Sequence, residues 1–475
     1  MKRFLTILAA ALALTAALCV SASASSFDGA AADLAAIGML KGDGAGGYAL
    51  DSAPTRTQAA IMLVRLYGAE EEARAAYASG ELECPFTDVN ETGAPFAAWL
   101  ADKGLASGTT PTTFGGGDPC TARAYTIFLL RALGYKDGED FTASAAREFA
   151  ASLGLLDTSM FTGSFLRDDL AAMTYQALGA DMKGGETYLL ASLIRSGAVD
   201  AAAAKPVTEK IEAYRALQTS GAAASQGFDA GIDARLGMGI TLKSSDGSMD
   251  MDEKTEIAVK GSMQALLDRD FQMSMDLTMT MKDGGTTVTE QAAYWLKDGV
   301  MYVRSGEDAY QMPMDMGVDW EAFTDLVEQS AGKFSPAMLP FVDSIAVQTT
   351  GEDTVYTLKL NNALAGIVDG LVGGVLEVMS VESDIQAGLD VSMDGSTVAY
   401  TVGKDGALKS AGADMTLKAE LKATDSTDSL TVGVAVDMDM DMTIKALGGD
   451  VKITFPDLSG FEPLYGVDAA AVKAA

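Results

Sequence analysis

Methionine recurs at every second position in two distant segments of the chain. The seven methionines are Met273, Met275, Met279, Met281, Met438, Met440 and Met442. Polar residues alternate with them: glutamine, serine, aspartate and threonine in the first segment, and aspartate in the second. Because successive side chains of a β-strand point to opposite faces, this period of two predicts strands with one methionine face and one polar face.

We interpret the methionines as the concave inner face of one curved antiparallel sheet over residues 229–456. Burying a methionine contributes about 1.5–3 kcal/mol, which explains the pattern without a ligand. Since methionine is flexible and polarizable, the seven methionines are also the predicted lining of an apolar-ligand cavity. A Cu(I) site is disfavoured because it needs converging thioethers, usually helped by His or Cys, and the chain has no histidine. Exposed methionines acting as a redox sink remain a third interpretation.

The charge balance limits the class of partner. The formal net charge is -32 and the isoelectric point about 4.2, so we expect no nucleic-acid partner and no binding to anionic headgroups. Without histidine, the commonest general base and metal ligand are missing, and no Ser-His or Cys-His pair can form. No glycine-rich phosphate loop appears either. We therefore expect a protein that is not an enzyme and that holds neither a cofactor nor a metal.

The first residues predict export. Lys2 and Arg3 precede an apolar stretch that ends near a small-residue cleavage site at Ala24, so residues 1–24 are a predicted signal peptide. No later segment is apolar enough to span a bilayer.

Two cysteines, Cys84 and Cys120, follow the predicted signal peptide. They either form a disulfide or remain separate buried thiols, and their spacing does not decide between these alternatives.

Residues 27–180 contain a unit that recurs three times. Each copy has a short apolar helical stretch, a loop and a second helical stretch, over about residues 27–68, 84–135 and 141–180. One such unit cannot bury its apolar face alone, so the three are expected to pack together as an all-α module.

The motifs of this module resemble surface-layer homology (SLH) repeats. The matching segments are "PTRTQ" at 54–58, "PFTDV" at 85–89 and "KGLASG" at 103–108. The resemblance implies a three-lobed helical module that binds a pyruvylated secondary cell-wall polysaccharide linked to peptidoglycan. It also implies a location on the cell wall or in a surface layer.

The resemblance implies binding residues at the start of the second helix of each unit. The predicted polysaccharide-binding residues are Thr55, Arg56, Gln58, Arg167 and Asp169. Ala122 stands at the arginine position of the second unit, so at most two sites are expected. A guanidinium can bind a carboxylate through two parallel hydrogen bonds, and free backbone donors of the helix end would add to this attraction. The alternative is that these arginines only cap helices or pair with acids.

The second half changes composition. A helical linker over residues 181–228 leads into a methionine-rich β domain over 229–456, and a tail follows over 457–475. Asp-Gly pairs in "MKDGGTTV", "WLKDGVMYV", "SMDGSTVAYTV" and "GKDGALKSA" predict hairpins between alternating runs. Two helical insertions are expected, one from residue 319 and one from residue 362. The predicted fold class is multidomain α+β.

This second domain resembles, more loosely, methionine-rich envelope proteins with a lipoprotein-carrier-like fold. The cues are the hairpin from Tyr294 to Tyr302 and the Met-x-Met strands. The resemblance implies a half-open barrel packed on helices that binds a lipid or another apolar molecule. We thus expect a secreted, wall-anchored protein with an apolar-ligand domain. The alternative is a structural envelope protein whose second domain is a spacer with a filled core.

Overall fold

The computed structural model describes most of the chain. The described residues are 27–42, 47–155, 164–221, 226–244, 250–267, 271–283, 285–313, 336–364, 386–393, 395–424 and 429–463. The predicted signal peptide, the insertion from residue 319 and most of the insertion from residue 362 lie outside them.

The first half is helical. Its helices are α1 Asp28–Ala36, α2 Arg56–Leu66, α3 Glu70–Ala78, α4 Ala94–Asp102, α5 Ala122–Ala132, α6 Ala146–Ser152, α7 Arg167–Gly179, α8 Leu189–Ser196 and α9 Ala201–Gly221. A short helix precedes a longer one three times, in the pairs α1 and α2, α4 and α5, and α6 and α7. The longer helices pack together, α2 against α5 and α5 against α7. Their apolar faces bury Leu63, Leu129 and Tyr175 completely.

The second half is built on one open sheet. Its strands are β1 Gly227–Ser244, β2 Asp250–Leu266, β3 Gln272–Asp283, β4 Thr286–Lys297, β5 Val300–Ser305, β6 Asp308–Pro313, β7 Val342–Thr350, β8 Asp353–Leu360, β9 Gln386–Ser392, β10 Thr397–Val402, β11 Leu408–Thr424, β12 Ser429–Leu447 and β13 Glu462–Pro463. The order is β13-β6-β5-β4-β3-β2-β1-β12-β11-β10-β8-β7, and β9 pairs with β11. All pairs are antiparallel except β13 with β6. The mixed α+β class is therefore as predicted.

Two of the predicted Asp-Gly hairpins illustrate how far local turn chemistry determines the sheet. Between β4 and β5, Asp298 and Gly299 have φ of 53° and 71°, as a two-residue type I′ turn requires. The prediction for "SMDGSTVAYTV" is wrong, because β9 and β10 both pair with β11 and do not pair with each other. The residues between them carry the fully buried Ser396, whose carbonyl accepts the N–H of Leu360 at 2.9 Å. This segment is an irregularity along one edge of β11 and not a reversal.

The strand register places both methionine segments on one face. Met440 of β12 lies opposite Ala234 of β1, Ala234 lies opposite Val259 of β2, and Val259 lies opposite Met279 of β3. Directly opposed residues in an antiparallel pair share a face. The row from Met438 through Leu236 and Ile257 to Met281 runs beside it. We call this surface the methionine face and the opposite surface, which carries Asp437, Asp439 and Asp441, the aspartate face.

The helical half and the sheet share one hydrophobic core. Phe341 and Val342, at the start of β7, are buried with residues of α1, α7 and α9, and the rings of Phe27 and Phe341 meet edge-on at 5.2 Å. A polar cluster lies in the same interface. The ammonium of Lys210 on α9 donates to Asp33 of α1 at 2.8 Å and to the carbonyl of Val342 at 3.2 Å. The helical half thus packs against the β7 end of the sheet through both apolar contacts and hydrogen bonds.

The two cysteines of the helical half remain separate. Cys84 is partly buried and Cys120 is buried, and both are free thiols. Burial raises the pKa of the Cys120 thiol to about 11. The disulfide alternative left open by the sequence is therefore not realised.

Candidate functional site

The methionine face has three sections along the sheet. At the β7 end, Tyr356, Val398 and Tyr400 pack against the helical half as part of the core that both halves share. At the β6 end, a second buried cluster surrounds Tyr294 and Leu296 and includes Met273, Ala292, Met301 and Val303. Both ends of the methionine face are therefore covered.

The middle section, formed by β12, β1 and β2, is only partly covered. Met438, Met440 and Met442 alternate with exposed aspartates and are themselves half-buried, as is Leu236 beside them on β1. Ala234, opposite Met440, and Ala230, opposite Ile444, contribute small buried side chains to the same face. A band of partly exposed, flexible apolar side chains thus runs between two closed cores. The predicted lining methionines are brought onto one surface, although five of the seven are half-buried and only Met273 and Met279 are buried.

The aspartate face carries a groove that the sequence analysis did not predict. Its volume is about 720 Å³, and its floor includes small residues of neighbouring strands, among them Gly237 of β1, Ala258 of β2 and Thr416 of β11. Arg235 and Lys282 supply the positive charges of the lining, and Glu256, Asp414, Asp437 and Asp439 supply the negative charges. Of the seven methionines assigned to the apolar cavity, Met438 alone is among the residues that line this groove, so that cavity stays a prediction.

Strand register explains the charges of this groove. Asp439 lies directly opposite both Arg235 and Asp414, and Lys282 forms a 3.5 Å ion pair with Glu256. The hydroxyl of Thr416 donates to Asp437 at 2.9 Å. Opposed aspartates on neighbouring strands repel each other unless a cation lies near. Within the described ranges, no three His, Cys, Asp or Glu side chains are arranged to hold a metal ion.

The second candidate site lies at the start of α2. The guanidinium of Arg56 donates one hydrogen bond, at 2.9 Å, to the carbonyl of Ser107 and lies 4.9 Å above the ring of Phe114. Its Nε atom is buried and has no hydrogen-bond partner. No acid among the described residues forms an ion pair with Arg56. Arg56 is thus a partly buried cation whose charge is not neutralised by a neighbouring carboxylate.

A glycine-rich loop of the next repeat forms the other side of this site. The carboxylate of Asp88, in "PFTDV", accepts the N–H groups of Phe114 at 2.7 Å and Gly115 at 2.8 Å. These backbone hydrogen bonds lower the pKa of Asp88 below its ordinary value. Asp88 therefore fixes the loop that carries Phe114 beneath Arg56, which gives this motif residue a structural role.

The free backbone donors expected at the helix starts are already occupied. At α2, the N–H of Arg56 donates to the carbonyl of Asp118 at 2.8 Å and that of Thr57 donates to Gly116 at 3.1 Å. At α7, the N–H of Arg167 donates to Ser52 at 2.9 Å. The prediction that these donors assist anion binding is wrong, because loops of a neighbouring repeat occupy the helix ends. Only side chains remain for an anion.

The other predicted polysaccharide contacts have structural partners. Thr55 and Gln58 form a reciprocal capping box, with hydrogen bonds of 3.2 Å and 2.9 Å. Asp169 is 2% exposed and accepts the N–H of Leu166 at 2.8 Å, which caps α7. The Nε of Arg167 donates to the carbonyl of Tyr48 at 2.7 Å. Of the five predicted residues, Arg56 has the geometry most suited to an anionic ligand.

Comparisons with known proteins add little to this geometry. No protein-family model matches the sequence, and no curated protein matches it. Among solved structures, the chain is similar to the crystal structure of LprF from Mycobacterium bovis, with 12% sequence identity over 52% of this chain and 98% of that chain. The TM-score is 0.25, so this likeness carries no argument about fold or function. None of the described helices is long and apolar enough to cross a membrane.

Proposed function

We propose that the protein is a secreted, non-catalytic cell-surface protein whose methionine face binds a lipid or another apolar molecule. The observation that carries this proposal is the middle section of that face, where Met438, Met440 and Met442 stay half-buried between two closed cores. A long row of partly exposed apolar side chains is costly in water unless something covers it. Flexible thioethers adapt to guests of variable shape at little cost.

The competing interpretation is a spacer with a filled core. A filled core would bury its larger apolar side chains almost completely, as the helical half does for Leu63, Leu129 and Tyr175. Met438 and Leu236 retain more exposure than those residues. This contrast within one chain favours a surface with room for a guest.

Oxidation by dilute peroxide tests this proposal. We expect Met438, Met440 and Met442 to form sulfoxides faster than Met62, which is 3% exposed in the helical core and serves as an internal reference. Added oleate, as the apolar probe, should slow oxidation of the three sheet methionines and leave Met62 unchanged. Peptide mass spectrometry gives both rates.

Two other outcomes of the peroxide experiment would contradict apolar binding. Oxidation of the sheet methionines as slow as that of Met62 would indicate a filled core. Fast oxidation that oleate does not slow would indicate a redox sink instead.

A second proposed function concerns the helical half, which we propose anchors the protein to an anionic cell-wall polysaccharide. Arg56 supports this assignment because its guanidinium is partly buried, stacks on Phe114 and has no acidic partner among the described residues. A carboxylate on the polysaccharide, such as a pyruvyl group, would provide the missing negative charge beside the guanidinium.

The anchoring proposal predicts that Arg56→Ala lowers binding of the full chain to purified cell-wall sacculi at least tenfold, which corresponds to about 1.4 kcal/mol. Arg56→Lys keeps the charge but loses the planar fork, so it should also bind less tightly. Arg123→Ala is the control, because Arg123 is exposed at the start of α5. Equal binding by Arg56→Ala and Arg123→Ala would contradict the assignment.

A further inference from the structure

Strand β7 ends the sheet and presents an open edge. Among the described residues, no strand pairs with its outer side, and its residues from Ser344 to Thr350 are exposed except for the half-buried Ile345. Val347 is 50% exposed, which is unusual for a large apolar side chain in this structure. The opposite end of the sheet order is blunted, because β13 has two residues and one of them is Pro463, which has no N–H to donate. Exposed edge strands such as β7 are usually protected by charged side chains, by proline or by a covering element.

The hairpin that joins β7 to β8 determines which backbone groups of the edge are available. Thr350 lies opposite Asp353 across a two-residue loop, and such a closing pair is hydrogen-bonded. Alternation along the strand then directs the N–H and C=O groups of Ile345, Val347 and Thr349 away from β8. Nearer the start of β7, the carbonyl of Val342 already accepts a hydrogen bond from Lys210. The open segment is therefore residues 344–350, with Val347 at its centre.

The charge around this edge differs from that of the chain as a whole. The formal net charge is -32, but each acid beside β7 has a lysine partner. Asp343 lies 3.6 Å from Lys359, Glu352 lies 2.8 Å from Lys404, and Asp353 lies 2.6 Å from Lys409. Within residues 344–350 no side chain is charged. This patch can therefore approach an identical patch without the repulsion that the rest of the surface would cause.

We propose that β7 is a docking edge for a second copy of this chain, paired antiparallel about a two-fold axis at Val347. In this register Val347 faces its own counterpart, Ile345 faces Thr349 of the other copy, and all three outward residues exchange hydrogen bonds. A two-fold interface places the same patch on both copies, as this arrangement requires. No like charges oppose each other, and paired β-branched residues stabilise neighbouring strands. The area is small, so the association is weak and depends on concentration.

Sedimentation velocity of the full chain over a range of concentrations tests this proposal. The wild type should shift from monomer towards dimer as concentration rises. Val347→Lys, which places two ammonium groups opposite each other, should weaken self-association at least tenfold. Val347→Pro removes an outward N–H without removing a hydrogen bond to β8, so it should have the same effect.

The control is Thr443→Lys, which adds the same charge at an exposed position of β12 in the middle of the sheet. It should self-associate like the wild type. Circular dichroism and thermal unfolding check that all variants remain folded, which is expected because Val347 is half-exposed. A wild type that stays monomeric at every concentration, or a dimer that Val347→Lys leaves unchanged, would overturn the proposal.

Discussion

Lys210→Met is expected to lower the free energy of unfolding by about 3 kcal/mol. The lysine is 9% exposed, and its ammonium donates to Asp33 at 2.8 Å and to the carbonyls of Val342 and Asp343 at 3.2 and 3.5 Å. Methionine fills a similar volume but donates no hydrogen bond. Asp33 keeps one hydrogen bond, from the hydroxyl of Tyr175 to its carboxylate at 2.8 Å. The carbonyls of Val342 and Asp343 lose the ammonium of Lys210 as a donor. The cost is large because Lys210 is buried and its loss leaves the carboxylate of Asp33, which is 31% exposed, without its counter-charge.

The matched control lies on the same helix. Lys205 of α9 pairs with Glu209, but both side chains are more than half exposed, at 67% and 62%. Exposed pairs contribute at most about 1 kcal/mol, so Lys205→Met should change stability little. Urea unfolding followed by circular dichroism gives both values. Equal losses for the two variants would show that the Lys210 cluster does not fasten α9 and α1 to β7.

Asp168→Asn is expected to raise stability at alkaline pH. Burial raises the pKa of Asp168, the N–H of Phe27 at 2.8 Å partly offsets this, and the charges of Asp169 and Asp28 add to it, giving a pKa of about 7. The folded state therefore binds this proton more tightly than the unfolded chain, in which an aspartate pKa is about 4. Stability from this group is fully present below about pH 4 and is lost as pH rises through 7.

Asparagine removes this pH dependence, because it stays neutral and its carbonyl can still accept the N–H of Phe27. At pH 8 the variant should be more stable than the wild type by up to about 4 kcal/mol, and at pH 4 the two should agree. Asp169→Asn is the neighbouring control. Its amide carbonyl can still accept the N–H of Leu166, and the loss of its charge lowers the pKa of Asp168, so it should reduce the pH dependence only in part. A loss of stability for Asp168→Asn at pH 8, measured by thermal unfolding, would contradict this assignment.

The period-two pattern predicted the face of the sheet well because it depends only on strand geometry. A strand must alternate its faces, so Met438 and Met440 had to share a side, and a one-residue slip would turn aspartates inward. The turn at Asp298 and Gly299 was predictable for a similar reason, since few residue pairs adopt positive φ twice.

Features that depend on which strands become neighbours could not be read from the sequence. The groove on the aspartate face forms where Asp439 lies beside both Arg235 and Asp414. These two residues precede Asp439 in the sequence by about 200 and about 25 positions. The polar cluster of Lys210 joins α9, α1 and β7, and nothing local to Lys210 indicates it. The Asp-Gly signal before Ser396 failed because the same pair occurs in hairpins and in irregular strands.

At Arg56 as well, local structure was predictable from the sequence and contacts between repeats were not. The motif located the helix start correctly. Thr55 and Gln58, which were predicted to bind the polysaccharide, form the capping box of α2. It did not show that the first N–H groups of α2 would be taken by carbonyls of Gly116 and Asp118. Those bonds come from packing between repeats, which a single motif does not encode.

Native mass spectrometry of the full chain, purified from its host, tests the central proposal most directly. Met440→Gln and Asp439→Gln place the same residue at adjacent positions of β12, one on the methionine face and one on the aspartate face. We predict that the wild type and Asp439→Gln carry an added mass that organic solvent releases as lipid, and that Met440→Gln carries much less. An unmodified mass for the wild type, or equal added mass on all three proteins, would contradict binding of an apolar molecule by the methionine face.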